Sequence, residues 1–206
     1  MDVNGLMNFL RELKSIMELN KERLIELDSV VGDGDLGLTM KDGFAAAYEA
    51  AVNSTEKDLG KLLYMAGKAM GSAVPSTMGT LMAAGLMNAG KALKGKTSLM
   101  TEDCVLLFRG YMEGVANLGK AKVGEKTFLD GIAPAVQAME EAVRLGEGLE
   151  AVKQRAKQAA MEGVQSTTTM RAMHGRAAIR GEASVALTDP GAMVAALIFE
   201  AFDKSL

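Results

Sequence analysis

The stretch Leu6-Met-Asn-Phe-Leu-Arg-Glu-Leu-Lys-Ser-Ile-Met17 shows the pattern on which the fold depends. Its apolar residues recur at steps of three and four positions, which is the period of one face of an α-helix. The same period continues outward from this stretch, and a short second helix is expected from a cap at Asn20 through Leu27. Further helices are expected at about residues 38–52, 59–74, 78–93, 101–120, 127–145, 149–170 and 191–202.

The expected helices end at residues that commonly start or stop helices. Gly95, Gly124 and Gly146 stand at expected C-terminal ends, where glycine accepts a left-handed backbone. Asp189 followed by Pro190 is a helix cap with proline at the first helical position. Only residues 182–187 hint at a β-strand, and their Ala and Ser content argues against one. The sequence therefore predicts an all-α fold.

The composition is that of a single globular domain, residues 1–206. Hydrophobic residues make up 49% of the chain and charged residues 24%, and with only 3 prolines no linker divides it. Aromatic residues are scarce at 4%, whereas methionines number 16. A core built from Ala, Leu, Met and Val suggests helices that approach one another closely.

Charge and cysteine content exclude several classes of protein. The net charge is −3, and Lys and Arg are scattered, so no basic face for nucleic acid is expected. The single Cys104 cannot form a disulfide framework, and the charged residues Arg11, Glu12 and Lys14 do not fit a signal peptide. No apolar stretch has transmembrane length without charges. We therefore expect a cytoplasmic protein with neither membrane nor nucleic-acid partners.

The strongest local motif is Asp28-Ser-Val-Val-Gly-Asp-Gly-Asp-Leu-Gly37. Its three carboxylates, Asp28, Asp33 and Asp35, repel one another unless a cation neutralises them. The glycines at 32, 34 and 37 are expected to let the backbone turn so that all three face one point.

Oxygen ligands of this kind suit Mg²⁺ or Ca²⁺, but the spacing is not that of an EF-hand. Mg²⁺ leaves coordination positions for phosphate oxygens, and the helix expected to follow at about Leu38 offers free N–H groups to a phosphate. A magnesium–phosphate site is the favoured interpretation. The alternative is an ordinary surface loop in which Asp and Gly form turns.

Four stretches resemble the nucleotide-binding L subunits and L domains of dihydroxyacetone kinases. The first is Asp28 with Gly32-Asp-Gly-Asp-Leu-Gly37, and the second is Gly79 with its Ala-, Ser- and Thr-rich surroundings. The third is Gly124-Glu-Lys-Thr-Phe-Leu-Asp130. The fourth runs from Gly175-Arg-Ala177 through Gly181-Glu-Ala-Ser184 to Asp189-Pro-Gly-Ala192. They follow the family's order from about residue 24 to 195, and together they are specific.

The resemblance implies a closed barrel of about eight antiparallel amphipathic helices, with nucleotide and metal at one end. It implies that Asp28, Asp33 and Asp35 are the catalytic and metal-binding residues, holding two Mg²⁺ ions on the phosphates of ADP or ATP. It also implies a set of nucleotide-binding residues: Leu36, Gly37, Leu38 and Thr39 along the phosphates, Thr77 and Met78 at a phosphate-side turn, Gly119 and Phe128 near the adenine, and Arg176, Asp189 and Pro190 around the site.

The chain departs from the family pattern at two places. Leu36 and Thr39 stand where the family often has His and Asn, and Pro75-Ser-Thr-Met-Gly79 replaces a Gly-Gly-x-Ser-Gly turn. The lost glycines stiffen this turn and a hydroxyl donor is missing. These departures indicate a divergent subgroup with a changed sugar substrate or nucleotide affinity. A site that has lost its function is the less favoured interpretation, because the three aspartates and Arg176 remain.

The resemblance further implies a partner. In this family a separate subunit holds the sugar on a histidine while the L subunit supplies the phosphoryl group, so this chain, ending at Leu206, is expected to be half of an enzyme. The expected acceptor is dihydroxyacetone or a related ketose. The donor is either ATP or a protein of the phosphotransferase system that rephosphorylates bound ADP. A different kinase partner, a nucleotide-sensing regulator and a metal-dependent phosphatase remain as alternatives.

Three other residues invite a functional interpretation but favour a structural one. His174, the only histidine, adjoins Gly175 and Arg176, and an exposed loop position is the favoured interpretation. Lys126, in a charged loop with Lys122 and Glu125, is expected either to support a helix or to be solvated. Cys104 is expected to lie in the core.

Overall fold

The computed structural model describes residues 1–205, and all the regular secondary structure in this part of the chain is helical. The helices are α1 (Val3–Leu19), α2 (Lys21–Val31), α3 (Leu36–Val52), α4 (Leu59–Ala73), α5 (Thr77–Ala92), α6 (Thr101–Gly119), α7 (Phe128–Arg144), α8 (Leu149–Ser166) and α9 (Pro190–Lys204). Two 3-10 segments, Thr167–Thr169 and Arg176–Ser184, join α8 to α9. No strand occurs within residues 1–205, and residues 182–187 are no exception. The predicted all-α fold is confirmed.

Eight of the helices, all except the shorter α2, form a closed ring. Going round the ring, α1 packs on α3, and each of α3 to α8 packs on the next helix of the chain. Helix α9 closes the ring between α8 and α1 and also packs against α7. Nearly all of its residues from Pro190 to Phe202 are buried, so α9 is enclosed by the helices that it packs against. The ring agrees with the expected barrel.

The helices approach closely where small residues meet. Gly60, at the start of α4, faces Gly90, near the end of α5, so these helices are antiparallel, and a Cβ on either glycine would meet backbone atoms of the other helix. Gly163 of α8 approaches the backbone of α7 at Gly131 in the same way. The expectation of close helix packing from the Ala- and Gly-rich composition is confirmed.

Aromatic side chains, although few, pack together at the centre of the core. Phe108 of α6 packs against Phe199 and Phe202 of α9 with centroid distances of 4.6 and 4.8 Å, and Phe9 of α1 lies 5.9 Å from Phe108. Cys104 is buried beneath, as expected, and burial raises the pKa of its thiol to about 11. It is therefore an apolar core residue and not a reactive thiolate.

Several boundaries differ from those expected. Helix α2 continues to Val31, so Asp28 lies on a helix and not in the loop. The Asn20 side chain does not cap α2: its amide donates to the Ile16 carbonyl at 2.9 Å and closes the end of α1. Gly124 does not end α6, because Lys120 takes the left-handed position at φ 59°. These ends depend on local backbone conformation and on hydrogen bonds to the preceding turn, which the helical period does not encode.

One end of the ring gathers the functional candidates. Helices α3, α5, α7 and α9 begin there, and α4, α6 and α8 end there. The start of α3 is brought against the start of α2, where a Cβ at Gly37 would collide with the Lys21 carbonyl oxygen. No helix in the described part of the chain is long and apolar enough to cross a membrane.

Candidate metal and nucleotide site

Asp28, Asp33 and Asp35 converge at the junction of α2 and α3. One carboxylate oxygen from each lies within 4.8 Å of those from the other two. Asp28 projects from the last turn of α2 and accepts a hydrogen bond from the Leu36 N–H at 3.3 Å. Asp35 is the N-cap residue of α3. The structure therefore places the three predicted ligands together, with Asp28 held against the first turn of the following helix.

The three glycines of this motif serve different purposes. Only Gly34 has a left-handed backbone, at φ +76°, and it makes the turn that returns the chain towards α3. At Gly32 a Cβ would strike the Asp28 carboxylate, and Gly37 allows α2 to approach α3. The expectation that all three free the backbone to turn is thus right for Gly34 alone, and the other two are needed for close approach.

The cluster is electrostatically strained without a cation. Burial raises the pKa of Asp35, and the neighbouring charges of Asp33 and Asp28 raise it further, while Arg176 lowers it. Arg176 reaches Asp33 with a guanidinium nitrogen 2.6 Å from a carboxylate oxygen. One arginine thus offsets part of the repulsion, and the carboxylates keep room for a divalent cation between them.

This donor set fits Mg²⁺. The three acidic oxygens are hard ligands, and Asp33 and Asp35 are exposed, so water or phosphate oxygens can complete the coordination. The first-turn N–H groups of α3 have no partners within the helix and carry its partial positive charge. Acidic ligands beside a helix N-terminus suit a cation carried by a phosphate group.

A shallow cleft of about 260 Å³ opens beside the cluster. It lies between the start of α3 and the turn from α4 to α5, and its lining residues are Asp35, Leu38, Thr39, Asp42, Ala73, Val74, Pro75 and Ser76. Of the residues expected along the phosphates, Leu38 is half exposed in this cleft, whereas Leu36, Gly37 and Thr39 are buried. The N–H groups of Leu36 and Thr39 donate to the Asp28 carboxylate and the Asp35 carbonyl, so Gly37 is the one of these three buried residues that can offer its N–H to a ligand.

The turn before α5 closes the other side of the cleft. Ser76 caps α5 by accepting a hydrogen bond from the Gly79 N–H at 3.0 Å, so Thr77 and Met78 form its first turn at the site end. Gly79 cannot carry a side chain, because a Cβ would lie 2.5 Å from the Val74 carbonyl oxygen. The stiffened turn therefore still presents a capped helix start. Asp42, which sequence analysis missed, faces the same cleft one turn beyond Leu38.

Gly119 and Phe128, expected near the adenine, lie at the same end of the ring. Gly119 is the exposed last residue of α6, with Leu81 of α5 beside it. Phe128 starts α7 and is only 3% exposed, with its ring 5.9 Å from that of Tyr111. The Phe128 side chain thus faces the core, and contact of either residue with an adenine stays a prediction.

Asp189 and Pro190 start the central helix α9 and are both buried. The Asp189 carboxylate accepts a hydrogen bond from the Ala192 N–H at 2.7 Å, which confirms the predicted cap. Burial raises the pKa of Asp189 to about 7, although this hydrogen bond and the charge of Lys126 lower it. Because Asp189 is buried and caps α9, its contact with a nucleotide stays a prediction.

Of the two expectations for Lys126, helix support or solvation, solvation is wrong. Its side chain is buried, and its ammonium donates to the backbone carbonyls of four residues between α8 and α9: Thr167 at 2.6 Å, Met170 at 3.3 Å, Ser184 at 2.8 Å and Leu187 at 2.5 Å. No local sequence signal distinguishes it from Lys122, because its partners are 41 to 61 positions away.

His174 is a partly exposed loop residue, as expected, but it is engaged. Its Nε2 lies 2.5 Å from Glu125 Oε2, and the neighbouring Met173 N–H donates to the Glu125 carbonyl at 3.2 Å. Both bonds join the loop before α7 to the segment that carries Arg176. His174 therefore serves to attach this segment, and its side chain has a partner other than a ligand.

The chain matches the DAK2 domain family over residues 30–204. It is 33% identical over 187 residues to the ADP-binding subunit DhaL of the PEP-dependent dihydroxyacetone kinase of Escherichia coli, covering 91% of this chain and 89% of that protein. The ADP-binding subunit DhaL of the PEP-dependent dihydroxyacetone kinase 1 of Listeria innocua is 30% identical, with 97% and 95% covered. The L-erythrulose 1-kinase of Mycolicibacterium smegmatis is 31% identical, and the chain spans a third (33%) of its length.

Solved structures share the fold. The dihydroxyacetone kinase of C. freundii, in its native form and in complex with AMP-PNP and Mg²⁺, aligns with a TM-score of 0.74 and 22% identity. The alignment covers 99% of this chain and 34% of that longer one. The relatives are named as kinases or kinase subunits, and this chain is a subunit of that class. The chain belongs to the DAK2 domain family, as a member of the DhaL type.

Proposed function

We propose that the chain holds ADP or ATP through Mg²⁺ on Asp28, Asp33 and Asp35 and passes a phosphoryl group to a small ketose on a separate subunit. The observation that carries the proposal is the convergence of these carboxylates at the start of α3, with Arg176 2.6 Å from Asp33. The names of the relatives support it: four are ADP-binding subunits of dihydroxyacetone kinases, and the C. freundii enzyme was solved in complex with AMP-PNP and Mg²⁺.

The residues of the site divide the work. The three aspartates would hold the metal, for which the family resemblance suggests two Mg²⁺ ions. The N–H groups of Gly37 and Leu38, in the first turn of α3, would meet phosphate oxygens, and Arg176 would reach the phosphates from the other side. Bound Mg²⁺ supplies charge neutralisation and orientation of the transferred group, so the protein contributes mainly positioning.

The relatives also indicate what surrounds this subunit. Their names include PEP-dependent kinases and, in Lactococcus lactis, a PTS-dependent dihydroxyacetone kinase. We infer that a phosphotransferase-system protein of the DhaM type rephosphorylates the bound ADP. A DhaK-like subunit would hold the sugar, and both steps are expected in the cytoplasm. Three relatives are erythrulose kinases, so a four-carbon ketose is a second candidate acceptor.

The first test is the nucleotide content of the purified protein. Mass spectrometry of the small molecules released on denaturation, with a magnesium assay, should find near-stoichiometric ADP and Mg²⁺. Absence of nucleotide, together with no uptake of added Mg-ADP, would overturn the proposal.

The second test assigns donor and acceptor. The protein is combined with a DhaK-type subunit and either ATP alone or phosphoenolpyruvate with phosphotransferase-system proteins, and dihydroxyacetone and erythrulose are offered in parallel. Turnover with phosphoenolpyruvate but not with ATP alone supports the relay. Turnover with ATP alone contradicts it, and the sugar consumed identifies the acceptor.

A further inference from the structure

The segment between α8 and α9 carries Arg176 away from the ring of helices. It runs from Thr167 to Asp189 and includes the two 3-10 segments. Its most distant part is open to solvent: Arg176 is 65% exposed at its side chain and Ile179 is 87% exposed. An exposed excursion of this kind keeps a fixed position only if its base is held.

The Lys126 ammonium lies at that base. Its acceptors come from both ends of the excursion, with Thr167 and Met170 on the outgoing side and Ser184 and Leu187 on the returning side. An ammonium has three N–H groups, and the three short distances, 2.5 to 2.8 Å, identify Thr167, Ser184 and Leu187 as their acceptors. The Met170 carbonyl, at 3.3 Å, adds a weaker fourth contact.

Three neutral bonds and one ion pair also join the two sides; the ion pair, Arg171 with Glu182 at 3.1 Å, is largely exposed and therefore contributes little. The Ala186 N–H donates to the Thr168 carbonyl, the Ala172 N–H to the Ser184 hydroxyl, and the Asp189 N–H to the Thr167 hydroxyl. A buried cation bonded to several carbonyls exceeds these in strength, because hydrogen bonds of charged groups contribute about twice as much as neutral ones. Lys126 is therefore the principal tie between the two sides.

The backbone of the Lys126 loop is itself adapted to this contact. Lys126 has a left-handed backbone at φ 59°, and Gly124 before it has φ 95°. A non-glycine residue in this conformation is costly unless its surroundings hold it. Here the side chain, the Glu125 carbonyl and the Glu125 carboxylate all bond to the Arg176 segment.

We propose that Lys126 is a positioning residue that holds the Arg176 segment over the aspartate cluster by bonding both sides of its base. It does not touch the aspartates and acts through Arg176. Its effect on nucleotide binding rests on the function proposed above, whereas its effect on the segment does not.

The direct test is hydrogen exchange of the nucleotide-free protein, followed by mass spectrometry. Lys126→Met keeps an unbranched side chain only one atom shorter and removes its charge and donors, and Lys122→Met, at an exposed lysine of the same loop, is the matched control. We expect Lys126→Met to speed exchange in peptides from 167–189 by on the order of 10- to 100-fold, as loss of charged hydrogen bonds implies. Exchange in α3 to α6 should be unchanged in both variants.

Unchanged exchange in 167–189 would overturn the proposal. If Lys126→Met fails to fold, Lys126→Arg decides, because a planar guanidinium cannot point three N–H groups at carbonyls surrounding one atom. Faster exchange confined to 167–189 in that variant supports the positioning role of Lys126, and wild-type exchange contradicts it.

A double-mutant cycle tests the route through Arg176. Lys126→Met should weaken Mg-ADP binding about 10-fold in the wild-type background and less than about 2-fold in an Arg176→Ala background. Equal losses in both backgrounds would mean that Lys126 does not act through Arg176. If the wild-type protein binds no Mg-ADP, the proposed function fails while the exchange experiment still decides the role of Lys126.

Discussion

The carboxylates that are expected to bind the metal also repel one another, so each of them favours ligand binding and lowers the stability of the fold. Asp35→Asn removes one metal ligand and one charge of a repulsive cluster, in which burial, Asp33 and Asp28 raise the pKa of Asp35. Titration calorimetry should show Mg-ADP affinity reduced by at least about 100-fold, since even partners outside the first coordination shell cost 10- to 100-fold. In EDTA the same variant should be slightly more stable than wild type, by less than about 1 kcal/mol because the group is largely exposed.

Asp42→Asn is the control for this substitution, because Asp42 faces the cleft without joining the cluster. It should keep most of the binding and gain no stability. Equal losses from both substitutions would mean that the binding site is not centred on the three aspartates.

Asp189 should make the stability of the fold depend on pH. Its pKa rises from 3.8 to about 7 on folding, so between these values the folded protein holds a proton that the unfolded chain has released. The free energy of unfolding should therefore fall as pH rises from about 4 to about 7, by up to about 1.4 kcal/mol per pH unit, and then level off.

Urea unfolding in EDTA between pH 5 and 8 measures this slope. Asp189→Asn, which keeps a cap oxygen for the Ala192 N–H, should remove most of it, and Asp58→Asn, at the cap of α4, should leave it unchanged. A wild-type slope in Asp189→Asn would assign the dependence to another group.

Residue by residue, the sequence predicted contacts that are local and missed those that are distant. The three aspartates lie within a span of eight residues, so their convergence follows from one turn and needs no knowledge of the fold. The four acceptors of Lys126 are carbonyl oxygens, which every residue has, so no residue type identifies them beforehand. The resemblance marks the Gly124–Asp130 stretch as a motif but does not say which of its side chains is buried.

At the scale of helices, period and caps predicted every long helix to within a few residues. The larger errors lie at helix ends. Helix α2 is longer than expected and Asn20 does not cap it. Helix α8 ends at Ser166, where 3-10 turns replace its expected continuation to Met170. Helix contacts, in contrast, were predictable only as a tendency. The composition indicated close packing without indicating which glycines meet.

Gly90→Ala tests that packing. Alanine is the better helix former by about 1 kcal/mol, yet its Cβ would collide with the Gly60 carbonyl oxygen and lie 2.7 Å from the Tyr64 nitrogen. Separating α4 from α5 should therefore lower the free energy of unfolding by about 1–3 kcal/mol, the range for overpacked cores. Gly71→Ala, whose Cβ would meet only the Ala83 methyl at 3.3 Å, should change stability by less than about 1 kcal/mol. Chemical denaturation of both variants gives the comparison, and equal effects would show that the α4–α5 approach is not limiting.

At the scale of the molecule, the site joins parts of the chain that are far apart in sequence. The aspartates belong to α2 and α3, the cleft reaches the start of α5, and Arg176 arrives from the segment before α9. A ligand that bridges these parts stabilises the whole ring, by an amount that depends on its concentration relative to its dissociation constant. The nucleotide and the metal should act together, because each supplies charge that the other needs.

Thermal unfolding in four conditions separates these contributions. Neither Mg²⁺ alone nor ADP in EDTA should move the unfolding midpoint by much. Without ADP, the bound Mg²⁺ lacks phosphate oxygens as ligands, and without Mg²⁺, the phosphates of ADP are repelled by the aspartate carboxylates. Mg²⁺ with ADP at about 100 times its dissociation constant should add about 2.7 kcal/mol, which for a domain of this size raises the midpoint by roughly 5–10 °C. The shift should vanish in Asp35→Asn and shrink in Lys126→Met. A full shift with ADP in EDTA would instead mean that the phosphates are held by Arg176 and backbone N–H groups without the aspartates.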